Sequence, residues 1–268
     1  AGRVRCIFQP AEESIPGGAA VLVDAGVMAD VEAVFALHCD PTIEVGTVGL
    51  SVGPITSAAD RVVIRLKGPG GHTARPPRTA DIVHLLAKLA VDVPQGLARR
   101  SDPRGAGNLA FGHIEAGDAA NVIPTTGVLS GSLRAAGRGS WEEAGPRMRA
   151  LIAATGEPHG ATWELEHHVG APPIVNEPWA VERMAEAARV AVGPDAVVPT
   201  AQSSGGEDFS WYLDHARGAY ARLGVRTPGA PVVDIHSEAF DVDRRAAPRA
   251  ARLLAAVALR PLADLATH

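Results

Sequence analysis

The chain has 268 residues, of which 46% are hydrophobic and 21% charged. That length allows two domains of ordinary size, each with a core of its own, and the composition excludes an intrinsically disordered chain. The formal net charge of −5 leaves no broad basic surface, which argues against a nucleic-acid or anionic-membrane partner.

The opening, Ala1-Gly2-Arg3-Val4, has the pattern of neither a signal peptide nor a transit peptide. It lacks an initiator Met and runs straight into strand-like residues, as expected of a chain that begins within a longer protein. Val4 to Phe8 is a short apolar run bounded by Pro10 and reads as a buried strand. Gly17-Gly18 opens a helix that runs to about Ala25 and is closed by Gly26. Val31 to Cys39 reads as a second buried strand and Val45 to Val52 as a third. Apolar strands alternating with a helix predict a mainly parallel sheet covered by helices.

The pattern changes near Asp60. Val62, Ile64 and Leu66 alternate with Arg61, Arg65 and Lys67, which describes a strand with one face in a core and the other in water. A helix follows from about Thr79 to Val93, ended by Pro94. Asn108 to Ile114 and Gly127 to Arg134 read as strands. A helix capped by Ser140 and Glu143 then runs to Gly156, with Met148, Leu151 and Ile152 on its apolar face. Trp163, Leu165, His167 and Val169 mark the next strand. The order strand-helix-strand-strand-helix-strand is a split βαβ unit, placed at residues 59–170. After a stiff Ala171-Pro172-Pro173 hinge, Asn176 caps a helix that presents Val181, Met184, Ala185 and Ala188. Gly218 to Gly224 reads as a strand, and a last helix spans about Arg245 to Leu259, with Leu253, Leu254 and Val257 inward. The expected architecture is an α/β domain, residues 1–58 and 171–268, interrupted by an inserted α+β domain. No apolar stretch reaches the roughly 18 residues that cross a bilayer. Two cysteines, Cys6 and Cys39, cannot build a disulfide framework, which points to a reducing, cytoplasmic setting.

Gln9-Pro10-Ala11-Glu12-Glu13 carries the densest chemistry. Ligand sites in open α/β sheets lie beyond the carboxyl ends of strands. Two adjacent carboxylates there can divide labour, one binding a metal and the other accepting a proton; an acidic helix start gives the same pattern. His38 follows the second strand on the same rim, as a metal ligand or as a structural histidine. His236, in Val233-Asp234-Ile235-His236-Ser237, is a third ligand or a solvated loop residue. Ser204 to Phe209, with Glu207 at its centre, shapes a substrate loop or starts a helix. Gly68-Pro69-Gly70-Gly71-His72 permits close backbone approach; Asn121 reaches substrate or caps a turn; Arg134 pairs with a substrate carboxylate or with an exposed acid.

Taken in order, Gln9 to Glu13, Ala36 to His38, Gly70 to His72, Asn121 to Pro124, Gly205 to Phe209 and Asp234 to Ser237 resemble the amidohydrolase branch of the co-catalytic metallopeptidases, the group of hippurate hydrolase, the aminoacylases and the plant auxin-conjugate hydrolases. The resemblance implies that Glu13, His38 and His236 bind metal, that Glu12 is the general base, and that His72 and Asn121 reach substrate. It implies two divalent ions (zinc, manganese or cobalt), hydrolysis of N-acyl amino acids or similar small amides by metal-bound hydroxide, and a homodimer formed through the inserted lid domain. Two departures stand out. Pro76-Pro77 occupies the place of a lid histidine. A Cys-Gly-His-Asp segment that would supply two further ligands does not precede Glu12, and Cys6 does not replace it. This chain alone is therefore expected to form an incomplete metal site, and a non-catalytic dimerisation or regulatory protein is the alternative reading.

Overall fold

The computed structural model describes residues 2–14, 17–101 and 107–265. Helix α1 (Gly18–Asp24) leads into β1 (Ala33–Glu44), β2 (Val48–Leu50) and the short β3 (Gly53–Pro54). The chain then enters the second unit. There β4 (Ala58–Lys67), the short β5 (Gly71–His72), α2 (Ile82–Arg100), β6 (Gly107–Glu115), the short β7 (Val122–Ile123), β8 (Thr126–Ala135), α3 (Arg138–Gly156) and β9 (Thr162–Ala171) follow in turn. It returns through β10 (Val175–Asn176), α4 (Pro178–Ala191), β11 (Val197–Pro199), β12 (Arg217–Arg226) and α5 (Ala246–Leu265).

Two four-stranded sheets result. One has the order β1-β12-β2-β11, with β1/β12 and β2/β11 parallel and β12/β2 antiparallel. The other, β6-β8-β4-β9, is antiparallel throughout. In the latter, Val62, Ile64 and Leu66 meet the stripe Ile82, Leu85, Leu86, Leu89, Val93 and Leu97 of α2 and residues Met148 and Ile152 of α3. The first sheet packs on α4 and α5 through Met184, Ala188, Leu253 and Val257.

Several sequence expectations shift. The Val4–Phe8 segment is not a strand: Val4 is 55% and Phe8 91% exposed, and no strand among the described residues pairs with it, so an apolar run alone does not make one. Pro94 sits inside α2 rather than ending it. An interior proline costs about 3 kcal/mol. Burying six aliphatic side chains of this stripe, at about 2 kcal/mol each, outweighs that. α3 starts at Arg138 without a side-chain cap, so Ser140 lies within its first turn. Glu177, not Asn176, caps α4, accepting from the Ala180 N–H. Asn176 is instead buried, donating to the Ser51 and Tyr220 carbonyls and accepting from the Tyr220 N–H. β1 continues to Glu44, which leaves His38 in mid-strand. Val169 and Leu254 face outward, the former beyond an irregularity in the β4/β9 register between Ala59 and Arg61.

Asp60 closes the second unit. Its buried carboxylate accepts from Trp141 Nε1 at 2.8 Å and from the Gly170 N–H at 2.9 Å, and pairs with His167 Nε2 at 2.7 Å. One side chain thus ties together β4, α3 and β9. Asp60→Ala leaves these donors without an acceptor and should lower the unfolding free energy by about 3 kcal/mol. A drop in the urea midpoint at unchanged slope reads this, and an unmoved midpoint would show that the donors find other partners.

Candidate active site

The rim of the β1-β12-β2-β11 sheet gathers the acids. The segment after β11 leads through Gly205 and Gly206 to Glu207, which caps a short 3₁₀ turn (Asp208–Asp214) by accepting from the Phe209 N–H at 3.2 Å. Glu207 is nearly buried, and its other oxygen accepts from Tyr220 Oη at 2.9 Å. Asp208, also buried, accepts from Gln9 Nε2 at 2.6 Å and from the Ala19 N–H at 3.0 Å. Tyr212 Oη donates to Gln9 Oε1 at 2.8 Å. The chain has only two tyrosines, and both hydroxyls serve this corner. Burial and the charges of Asp208 and Glu207 push Tyr212 up to about 12. Burial and Glu207 push Tyr220 higher still, so both phenols remain donors.

Glu12 stands opposite. One oxygen each of Glu12, Glu207 and Asp208 lie within 4.8 Å of one another, the only such group of three potential ligands among the described residues. Desolvation, then the charges of Glu207, Glu13 and Asp208, push Glu12 up to about 7, with His236 pulling the other way.

Glu13 and His236 approach each other, Oε1 to Nε2, at 3.9 Å, both well exposed. Two metal bonds of about 2.1 Å span such a separation. The loop fixes His236 by a bond from its N–H to Asp234 Oδ1 at 2.8 Å, and its Nδ1 lies 3.4 Å from the same carboxylate. His38 Nδ1 lies 2.8 Å from the Cys39 carbonyl, and its ring is 5.9 Å from that of Tyr220. A proton on Nδ1 makes that contact a hydrogen bond and leaves Nε2 with its lone pair. Arg222, opposite His38 in the β1/β12 register, packs over the Tyr220 ring and donates to Ser203 Oγ at 2.8 Å.

The remaining predicted residues lie in the second unit. His72 pairs with Val122 in the β5/β7 ribbon, and its Nδ1 accepts from the Ala74 N–H at 3.1 Å. The Asn121 carbonyl accepts from the Thr73 N–H at 3.1 Å, so the two segments are brought together. Their hydrogen bonds stay within this ribbon among the described residues. Arg134, at the end of β8, comes within 3.5 Å of where a Cβ on Gly206 would stand, next to Glu207. Gln9, Tyr212, Tyr220 and Arg222 were not singled out from the sequence as site residues. Tyrosine scarcity is the signal that could have found two of them.

The acids of this rim carry more negative charge than their neighbours offset, and the carboxylate-plus-imidazole donors match the chemistry of a divalent ion such as zinc, manganese or cobalt. The acids and the Glu13–His236 pair stand beside a mixed α/β sheet interrupted by an antiparallel α+β unit, while His38 lies in mid-strand and belongs to no three-ligand group among the described residues. The chain belongs to the Peptidase family M20/M25/M40, whose family model matches residues 1–260. It is 33% identical over 253 residues to the N-acetyl-L-cysteine deacetylase of Bacillus subtilis, a match covering 94% of this chain and 59% of that protein. It is 44% identical over 262 residues to a Rhodococcus jostii protein named glutamate–cysteine ligase 2-3, but the match covers 98% of this chain and only 33% of that protein. Its fold is similar to that of a dinuclear metal binding peptidase of the M20 family from Bacillus subtilis, with a TM-score of 0.76 at 28% identity, covering 95% of this chain and 64% of that one. The chain thus spans less than two thirds of the length of these relatives.

Glu12 makes stability depend on pH in the metal-free protein. A carboxyl whose pKa rises from the ordinary 4.5 to about 7 on folding binds its proton more tightly in the folded state. Stability then falls as pH rises from about 4.5 to about 7, and is level beyond. With chelator present, Glu12→Gln should therefore gain in Tm over the wild type across this interval. A Tm difference that does not change with pH would show that Glu12 titrates normally.

Proposed function

We propose that the protein is a metal-dependent amidohydrolase that cleaves the amide bond of N-acyl amino acids or similar small amides. The observation that carries this reading is the placement of Glu12 beside the buried Glu207 and Asp208 and next in sequence to Glu13, which approaches His236. Glu13, His38 and His236 are the residues that would hold the metal, and two divalent ions bound here supply Lewis-acid activation of water and of the substrate carbonyl. Glu12 takes the proton from the attacking water and returns it to the leaving amine. A carboxylate placed beside that water can serve both halves of the task, as base and then as acid. His72 is assigned to the developing oxyanion and Asn121 to the substrate, while Arg134, beside the Glu207 loop, is assigned to its carboxylate. The name of the deacetylase relative supports an N-acyl amino acid as substrate. The β4–β9 unit, residues 59–170, acts as lid and as homodimer surface. Cys6 and Cys39 are both free, which supports a cytoplasmic site of action.

Assay of several N-acetyl amino acids with zinc, manganese or cobalt tests the activity, and chelation should abolish it. Glu12→Gln keeps the shape but cannot accept the proton, so kcat should fall by about 10²–10⁴-fold with metal binding retained. A kcat within about tenfold of wild type would assign the base elsewhere. Failure of a form that also carries the Cys-Gly-His-Asp segment to hydrolyse any amide with any of the three metals would leave a non-catalytic role. Sedimentation at micromolar concentration should show a dimer, and a monomer alone would remove the lid from the assembly.

A further inference from the structure

Asp208 falls in the tightest acidic group of the described residues, which by distance alone would make it a metal ligand. Its hydrogen bonds argue otherwise. Oδ1 accepts from Gln9 Nε2 at 2.6 Å and Oδ2 from the Ala19 N–H at 3.0 Å. Gln9 precedes Glu12 and Ala19 follows Glu13, so one carboxylate grips the chain on both sides of the acidic loop. The Gln9 amide is held at its other end by Tyr212 Oη at 2.8 Å. The backbone closes tightly around the same point. A Cβ on Gly17 (φ +88°) would stand 2.0 Å from Asp208 Oδ2, and one on Gly18 would stand 1.9 Å from the Pro10 carbonyl oxygen. Between these anchors Glu12 and Glu13 lie exposed in a turn that belongs to neither sheet nor helix.

We propose that Asp208 is not a metal ligand but the positioning residue of the Glu12–Glu13 loop, fastening both of its flanks through Gln9 and the Ala19 N–H. This rests on the reading of Glu12 and Glu13 as the base and a metal ligand. Both Asp208 oxygens are already engaged and face the loop's anchors, whereas among the described residues the Glu12 and Glu13 side chains accept no hydrogen bond, Glu13 only approaching His236 at 3.9 Å. Preorganising a ligand through its neighbours is commonly worth 10–100-fold in metal affinity, so the placement of Glu13 depends on Asp208 without Asp208 touching the ion.

A polarity swap separates the two roles. Asp208→Asn sets an N–H donor against a donor, so either a hydrogen bond of the set is lost or the Gln9 amide flips and turns Tyr212 Oη from donor to acceptor. Adding Gln9→Glu supplies the missing acceptor, keeps the acceptor for Tyr212 Oη and preserves the net charge. Cobalt titration followed by visible absorption, and the rate at which a glutamyl endopeptidase nicks the chain after Glu12 or Glu13, read the outcome. For a positioning residue, Asp208→Ala and Asp208→Asn should weaken cobalt binding by about 10–100-fold with an unchanged spectrum at saturation. Nicking should speed up about tenfold, as expected from the loss of hydrogen bonds worth about 1 kcal/mol each. The Gln9→Glu/Asp208→Asn pair should restore both readouts. If the pair leaves the saturated cobalt spectrum altered, or if Asp208→Ala changes neither readout, the proposal is overturned. Should the wild type bind no cobalt, the reading of the site fails on its own, and the nicking rates still decide whether Asp208 holds the loop.

Discussion

Three carboxylates packed within 4.8 Å repel one another, and much of the surrounding structure answers that repulsion. Two unit charges about 5 Å apart cost about 1 kcal/mol in water and about 3 kcal/mol near a protein surface of effective dielectric 20. Asp208 is stabilised as an acceptor by Gln9 and the Ala19 N–H, and Glu207 by Tyr220 and the Phe209 N–H. Among the described residues Glu12 has no comparable donor, so desolvation first, and then the charges of Glu207, Glu13 and Asp208, hold its proton until about pH 7. The fold has concentrated an electrostatic deficit on the one acid that stands at the open edge.

The stretch that carries Glu207 and Asp208 also joins the two units. Gln202 Nε2 donates to the carbonyls of Thr56 and of Ala136, on the two sides of the junction. Trp211 donates to the Gly170 carbonyl and meets Trp141 edge-on. Asp214 forms an ion pair with Arg138 at the start of α3. Hydrogen bonds, an aromatic edge and an ion pair therefore all come from the stretch 202–214 that also carries the site acids. Any rotation of the β4–β9 unit against the first sheet strains this segment, which places that unit and the acids in mechanical contact.

Much of the architecture was legible in the sequence because the periodicities were clean. The alternation through Val62, Ile64 and Leu66 and the stripe of α2 leave one choice each for the buried face, and the split βαβ order follows from them. Boundaries failed where tertiary packing overrode a local signal. Pro94 reads as a stop, but Val93 and Leu97 are both buried, so the helix continues through it. Val4 to Phe8 reads as a strand from its apolar content, yet strand identity depends on a neighbour that sequence does not reveal. Asn176 has the chemistry of a cap and is used to fasten β12 instead. The candidate site was legible only as a list of residues, and the arrangement among them was not: His38 stands in mid-strand instead of on the rim. The acidic pair, His38 and His236 could be listed in order, whereas Gln9 and Tyr212 are joined across a sequence separation of 203, and Tyr220 and Glu207 across one of 13.

The arrangement separates holding from acting. The buried members, Asp208, Glu207 and Tyr220, have their polar atoms satisfied and sit on the sheet or against it, so they are rigid. The members assigned to chemistry, Glu12, Glu13 and His236, are exposed and borne on loops. Loop residues can approach a substrate or an ion without burying unmet charge, but they have little intrinsic order. A rigid base therefore has to supply their geometry, and hydrogen bonds from side chain to loop are the means available where no regular structure exists. The same logic accounts for the position of His38, which is held in mid-strand between the Cys39 carbonyl, Arg222 and Tyr220. It is the one imidazole of the set whose orientation the sheet itself fixes, and the loops that bear Glu13 and His236 are arranged with respect to that fixed sheet.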